Sequence, residues 1–419
     1  MSVPLLRTIT PDLIPPKGLA FDSETTRQAG EIVTAVRELG DQSLREYAER
    51  LDGLPGDQPL IHSRPLLEEA SRRLPDETRD LLERTADRIR RFAQAQRNCL
   101  TDLTLTIPGG AAGHTVLPVE AAGCYAPGGR FPLPSSVLMT VIPARVAGVQ
   151  RVLAASPRPG DVVLAAAAIA GADAVLAAGG AHAIAALAYG TDTIPACDVV
   201  VGPGNRWVTA AKRWVAGDVR IDMLAGPSEL AILADESANP AWVAADLFAQ
   251  AEHDVDARAM LIATTDQFIE AVNLELTRQI ADLPTADTAR AALAHGFALL
   301  ARDTDQAIEL CDRLAPEHVE LHLADAADVA KRLRHYGCVF IGAASAEVFG
   351  DYGAGPNHTL PTGGTARYAS GLSVFDFLRR PTWLHIGETN ATTELAQDAA
   401  ALARLEQLAA HERSATIRR

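Results

Sequence analysis

The chain changes its hydrophobic rhythm twice. Over residues 20–105 apolar side chains recur every three or four positions among charges, as in "DSETTRQAGEIVTAVRELGDQSLREYAERL" and "LPDETRDLLERTADRIRRFAQAQ". That period predicts amphipathic helices, each with one face to bury. Asp22 and Ser23 carry oxygens suited to capping the first helix, and Gly40 is suited to stopping it. From Arg151 the period shortens. "RVLAAS", "DAVLAAGG", "CDVVVGPGN" and "VRIDM" read as buried strands, with "GDVVLAAAAIAGA", "AHAIAALAYG" and "RWVTAAKRWVAG" as the helices between them. Short apolar strands alternating with Ala-rich helices across glycine turns predict βαβ units and a parallel sheet. The same rhythm then returns in different sequence. "ELAILAD", "ARAMLIATT", "FALLARD", "HVELHL" and "CVFIGA" are strands, separated by helices such as "PAWVAADLFAQAEH" and "DTDQAIELCDRL".

The expected fold class is therefore α/β, with two parallel-sheet modules. The expected divisions are a helical N-terminal part (1–120) packing with the second module, a first α/β module (121–231), a second α/β module (232–380) and a short C-terminal segment (381–419). No low-complexity linker separates the modules, so they are expected to share an extensive interface. Ligands of parallel sheets bind outside the carboxyl ends of the strands, which makes a cleft between the modules the default site.

Composition narrows the classes of function. Apolar residues make up 48% and charged residues 22% of the 419 residues, as in ordinary globular proteins. A formal net charge of -15 and the lack of any basic run argue against nucleic acid or an anionic membrane as partner. Cys99, Cys124, Cys197, Cys311 and Cys338 are scattered, odd in number and without a CxxC pair. That pattern suits reduced thiols in the cytoplasm better than a disulfide framework or a thiolate zinc site. The opening "MSVPLLRTITPDLIPP" lacks a signal-peptide core. The most apolar stretch, 162–190, is interrupted by Asp173, Gly179, Gly180 and His182, so no membrane span is expected.

Several stretches could carry chemistry, each with a plainer alternative. "VVVGPGNRWV" ends a strand in glycines and opens a helix, which suits an anion, yet the GxGxxG fingerprint is missing and an ordinary αβ turn serves as well. "GCYAPGGR" offers Tyr125 to a flat ring, or is a structural turn. "LAPEHVELHL" places Glu317 and His318 together at a strand mouth, where they could move protons, or where a surface Glu merely adjoins a core His. "GDYGAGPNHTLPTGG" is a long irregular loop holding Asp351, Asn357 and His358, and such loops are usually functional. In "DLFAQAEHDVDARAM", Gln250 and His253 share a helix face and could meet one ion. Gln is a rare ligand, and two ligands do not make a site, so an ordinary helix face is the simpler local reading. Glu406 and His411 in "LEQLAAHERSATIRR" read locally as a solvated helix end.

Taken together, these stretches resemble one family, the zinc-dependent, NAD-linked histidinol dehydrogenases. The markers run in fixed order: "GCYAPGGR", "PSSVLM", "GGAHAIAALAYGT", "VVVGPGNRWVTAAKR", "IDMLAGPSE", "QAEHD", "APEHVEL", "GDYGAGPNHTLPTGGTARYASGLS" and the terminal "HERSATIRR". The resemblance implies oxidation of L-histidinol through L-histidinal to L-histidine, with two NAD used in succession. It implies two incomplete Rossmann-like modules, and a homodimer whose C-terminal segment reaches the partner's site. One Zn2+ per subunit would be held by Gln250, His253, Asp351 and His411. His318 matches the general base and Glu317 the residue that activates water on the aldehyde. Ser228, His358 and Glu406 fall at substrate-contacting positions, and Tyr125, His182 and Asn205 at NAD-contacting ones.

One position departs from the family. Gln is usual where this chain has His182, and an imidazole cannot present an amide's donor and acceptor together. The sulfopropanediol 3-dehydrogenases resemble the same pattern. The second glycine of "GCYAPGGR", with "APEH" and "PSSVLM", leans toward histidinol, whereas "GCYAP", "ARYASGLS" and "PTW" lean toward the paralogue. A non-catalytic descendant used for binding is disfavoured, since every zinc position and the Glu–His pair are intact.

Overall fold

Two six-stranded sheets organise the chain, a computed structural model of which describes residues 4–15, 22–128, 131–387 and 390–418. Gly129 and Arg130 of "GCYAPGGR" lie outside the described residues. In the first sheet the strands lie in the order Arg220–Ile221, Val199–Val201, Ala121–Tyr125, Arg151–Ala155, Ala174–Leu176, Ile61–Ser63. All neighbours run parallel except the last pair. In the second sheet the order is Thr8–Ile9, Phe297–Leu300, Arg258–Ala263, Glu229–Ala234, His318–His322, Cys338–Ile341, parallel throughout. Each chain order doubles back once, next to Ala121–Tyr125 in the first sheet and next to Glu229–Ala234 in the second. These are the switch points of doubly wound sheets.

Both faces of each sheet are buried, which is why the strands read as continuous apolar runs. Ala122 and Cys124 enter one core and Ala121 and Tyr125 the other. Leu230, Ile232 and Ala234 likewise oppose Ala231 and Leu233. The alternation is the two-residue period of a strand.

The N-terminal helices were expected on the second module; they pack mainly on the first, and the Asp76–Asn98 helix also meets the second, where Arg88 Nε donates to the Gly353 carbonyl (2.8 Å). The Ser23–Leu39 helix puts Ala29, Val33 and Val36 into one core of the first sheet, and Leu67, Ala70, Leu82, Ala86 and Ile89 enter the other. Their apolar stripes find a complement in the Ala-rich Asp161–Ala170 and Gly180–Tyr189 helices, whose small side chains allow close approach. The extreme N-terminus joins the second module's sheet, where Thr8–Ile9 pairs with Ala298 and Leu299. Asp22 caps the first helix by accepting from the Thr25 N–H (2.7 Å), and Gly40 ends it at φ 56°.

The C-terminal segment leaves the main body. Thr382–Ile386 pairs antiparallel with Gly110–His114, itself paired with Leu103–Ile107. Beyond it the Thr393–Leu405 and Ala409–Thr416 helices pack on each other. Leu405 is 80% exposed and Ile417 70% exposed. No described helix is long and apolar enough to cross a membrane.

Candidate active site

The link between the modules decides where the cleft falls. Arg220–Ile221 ends at the carboxyl edge of the first sheet, and the short segment 222–228 then delivers the chain to Glu229, at the amino edge of the second. The cleft therefore joins a carboxyl edge to an amino edge. Carboxyl ends were expected from both modules, and for the second module that expectation fails, because Glu317 and His318 open their strand rather than close it. The Pro240–Ala251 helix runs back against the sheet and so returns Gln250 and His253 to the same edge.

Asp351 ends the short Glu347–Asp351 helix, and the loop that follows it bonds across to the first module. Asn357 Nδ2 donates to the Met139 carbonyl (2.6 Å), and the Gly226 N–H donates to Thr362 Oγ1 (2.5 Å). His358 lies between Ser136 Oγ (3.3 Å from Nε2) and the Asp351 carbonyl (3.0 Å from Nδ1). Burial lowers the pKa of His358. The neutral ring so favoured can donate at Nδ1 and accept at Nε2, and in this arrangement it buttresses the helix end that carries Asp351.

Six expected residues converge. His253 Nε2 lies 3.4 Å from Asp351 Oδ2, and His318 Nε2 lies 3.8 Å from Asp351 Oδ1. Ser228 Oγ donates to Glu317 Oε2 (2.7 Å) and lies 3.5 Å from Gln250 Oε1. The Glu229 N–H also donates to Glu317 Oε2 (2.9 Å), so Oε1 is the oxygen left to meet a water. Gln250 is fully buried, yet its amide nitrogen has no hydrogen-bond partner among the described residues. Turned about its last bond, the Gln250 amide would instead leave its oxygen without a partner, and an amide oxygen beside an imidazole and a carboxylate is a donor set suited to one ion.

The electrostatics separate these groups. Burial pushes the Glu317 carboxyl up to about 8, against the hydrogen bonds from Ser228 and Glu229 that favour its charge. Burial likewise drives His318 down to about 4, leaving the imidazole neutral near pH 7 and able to accept a proton. For His253 burial also lowers the pKa, but the Asp351 carboxylate outweighs it and carries His253 up to about 9.

The remaining expected residues fall elsewhere. Tyr125 is buried at the carboxyl edge of the first sheet, and its hydroxyl accepts from the Gly180 N–H (3.3 Å). Asn205 Oδ1 accepts from the Trp207 (3.0 Å) and Val208 (3.2 Å) N–H groups, capping its own helix. Gly202 N–H is taken by Asp222 (2.8 Å), and buried Lys212 donates to the Gly202 carbonyl (2.9 Å). The "VVVGPGN" turn is thus pinned from within and keeps few free amides for a phosphate. His182 turns inward, with Nε2 2.8 Å from Asp52 Oδ2 and its ring stacked on Tyr47. Glu406 and His411 are exposed on the C-terminal helices and, among the described residues, make no hydrogen bond or ion pair with the cleft residues of their own chain. The sequence reading missed two buried carboxylates here, Glu229 and Glu347. The four-residue spacing of Glu347 and Asp351 in "AEVFGDY" is the signal that could have found the second.

The histidinol dehydrogenase family model matches residues 18–419. The chain belongs to the histidinol dehydrogenase family. It is 45% identical to the histidinol dehydrogenase of Thermus thermophilus, over 96% of this chain and 97% of that one. It is 44% identical to the one from Pseudomonas fluorescens, over 95% and 91% of the two chains. The crystal structure of histidinol dehydrogenase from Elizabethkingia anophelis superposes with a TM-score of 0.93 at 29% identity, covering 100% of this chain and 99% of that one. An acetylating aldehyde dehydrogenase from Geobacillus thermoglucosidasius, at 15% identity and a TM-score of 0.50, shares the fold alone. Histidinol dehydrogenases are NAD-dependent oxidoreductases of histidine biosynthesis, and this chain is one of them by family, sequence and fold.

Proposed function

We propose that the cleft carries out both oxidations, L-histidinol to L-histidinal to L-histidine, handing one hydride to NAD at each step. The observation that carries this reading is the convergence of Glu317, His318, Gln250, His253 and Asp351 at one edge. Neutral His318 takes the alcohol proton as the first hydride leaves. Glu317, once ionised, draws a proton from water at Oε1, and that water adds to the aldehyde before the second hydride leaves. Two groups with divergent pKa values thus divide the proton chemistry. The donor set of Gln250, His253 and Asp351 fits one zinc per subunit, which would supply Lewis-acid binding of the substrate's nitrogens.

Tyr125, His182 and Asn205 are proposed to flank NAD at the first sheet's carboxyl edge. His182 would serve there through its hold on Asp52 and the Gly179 turn, whose N–H donates to the same carboxylate (2.8 Å). Ser228, His358 and Glu406 are proposed to contact the substrate. The exposed apolar C-terminal helices support a homodimer with exchanged segments, in which His411 of the partner subunit closes the ligand set and Glu406 of the partner subunit faces the substrate. The free cysteines support a reducing, cytoplasmic setting. The proposed divisions remain 1–120, 121–231, 232–380 and 381–419, with the first part on the first module.

The test feeds alcohol and aldehyde separately and counts NADH. Wild type should give two NADH per histidinol. His318→Ala should slow both steps, and Glu317→Gln mainly aldehyde to acid. Equal losses on both substrates for Glu317→Gln would refute the division of labour.

A further inference from the structure

His318 has two ring nitrogens and, when neutral, one proton to place. Nε2 faces Asp351 Oδ1 at 3.8 Å, on the cleft side. Nδ1 is buried without a hydrogen-bond partner, and the carboxylate oxygen closest to it is Glu347 Oε1, at 3.3 Å. Glu317 is the other carboxylate near Nδ1, but its Oε2 lies 3.7 Å away and already accepts two hydrogen bonds.

Glu347 is 1% exposed, and neither of its carboxylate oxygens has a hydrogen-bond partner among the described residues. Burial, with the nearby Asp351, Glu320 and Glu317, raises the pKa of Glu347 well above the usual carboxylate range, and a buried carboxyl group is costly unless something nearby uses it. The backbone aims it deliberately. Glu347 and Asp351 stand four apart on the short Glu347–Asp351 helix, so both side chains leave one face and bracket the His318 imidazole, one at each nitrogen. The start of that helix is fixed because the Glu347 N–H donates to Glu320 Oε1 (2.6 Å). Glu320 is on the same strand face as His318, two residues on. The helix also sits close to Phe340, whose ring flanks His318. A Cβ on Gly350 would meet that ring at 2.8 Å, so the absence of a side chain there permits the approach.

We infer that Glu347 is a positioning residue for His318, its Oε1 accepting the Nδ1–H and so leaving the Nε2 lone pair free toward the cleft. The opposite placement, with a proton on Glu347 Oε1 and Nε2–H on the ring, would leave His318 no lone pair to take the alcohol proton. The inference rests on the proposed role of His318 as base.

The experiment combines zinc-free and zinc-loaded protein. In zinc-free wild type, the imidazole 15N–1H spectrum, with His318 assigned from its loss in His318→Asn, should show the Nδ1–H tautomer. Glu347→Ala should lose that tautomer preference. Glu347→Gln, whose amide oxygen still accepts, should keep it. In the loaded enzyme Glu347→Ala should lower kcat for histidinol by about 100-fold, with KM and zinc content held, and Glu347→Gln should recover part of it. An Nε2–H tautomer in wild type would overturn the inference, as would wild-type kcat in Glu347→Ala. If Glu347→Ala does not fold, the wild-type spectrum and Glu347→Gln decide. Full activity in His318→Ala would defeat the reading of His318 itself, and the two failures are thereby told apart.

Discussion

Replacing Ser228 by alanine removes the shorter of the two hydrogen bonds that hold the Glu317 carboxylate, the 2.7 Å contact to Oε2. Glu317 is buried, with burial raising its pKa to about 8, and the Ser228 bond is the largest influence opposing that rise. A hydrogen bond to a charged group contributes about 1.5–3 kcal/mol, and one pH unit of midpoint corresponds to about 1.4 kcal/mol. The midpoint for ionising Glu317 should therefore rise by about one to two pH units in Ser228→Ala. The sign follows from the role: a carboxylate acts on water only when ionised, so the aldehyde step should speed up as pH rises through the midpoint. At pH 8 the wild-type group is about half ionised and the variant about 1–10% ionised, a loss of about five- to fifty-fold in kcat. At pH 10 much of that loss should return. The assay is NADH formation from L-histidinal between pH 6 and 10 at saturating substrate, with histidinol profiles alongside. An unmoved midpoint for the aldehyde would refute the assignment of Glu317 as the titrating base. An equal displacement for both substrates would refute its confinement to the second step.

Purified protein should carry about one zinc per subunit, chelation should abolish NAD reduction and zinc should restore it; full activity in metal-free protein would contradict this. Since Asp351 holds a proton on His253 up to about pH 9, zinc must displace it, so zinc affinity measured by competition should weaken as pH falls below 9, and a flat dependence would count against His253 as a ligand. His411→Ala and His253→Ala should each be nearly inactive alone, yet regain activity when unfolded and refolded together, because one of the two sites in a mixed dimer is then intact. No recovery would mean that the C-terminal segment serves its own chain.

Much of the fold was legible because the strands obey it locally. "ELAILAD" and "RVLAAS" are buried on both faces, and a parallel sheet between helices is the arrangement that produces such runs. The N-terminal region was less legible. Ile61–Ser63 is three residues long and carries a histidine, so nothing in "LIHS" announces the antiparallel edge strand that it forms against Ala174–Leu176. Thr8–Ile9 is shorter still. Which module the amphipathic helices would cover was not legible either, because an apolar stripe states that a face is buried and not against what.

The site was legible in parts for a related reason. Gln250 and His253 looked like one amide and one imidazole on a helix face until Asp351 was placed opposite them, and Asp351 comes from a short helix about a hundred residues away in sequence. The amino-edge location of Glu317 and His318 was hidden because the preference for carboxyl edges describes a sheet that binds alone. Here the first sheet presents its carboxyl edge, the segment 222–228 carries the chain directly to Glu229, and the second strand set begins where the first ends. Glu229, Ser228, Glu317 and His318 therefore meet the cleft as the opening residues of neighbouring strands, with Leu230 in register with His318. The surroundings of His182 were hidden as well: Asp52, supplied by the N-terminal part on the first module, captures both its Nε2 and the Gly179 N–H. That carboxylate takes the place an anion would fill at this helix N-terminus, so negative charge on a bound dinucleotide must find its partners elsewhere along the edge.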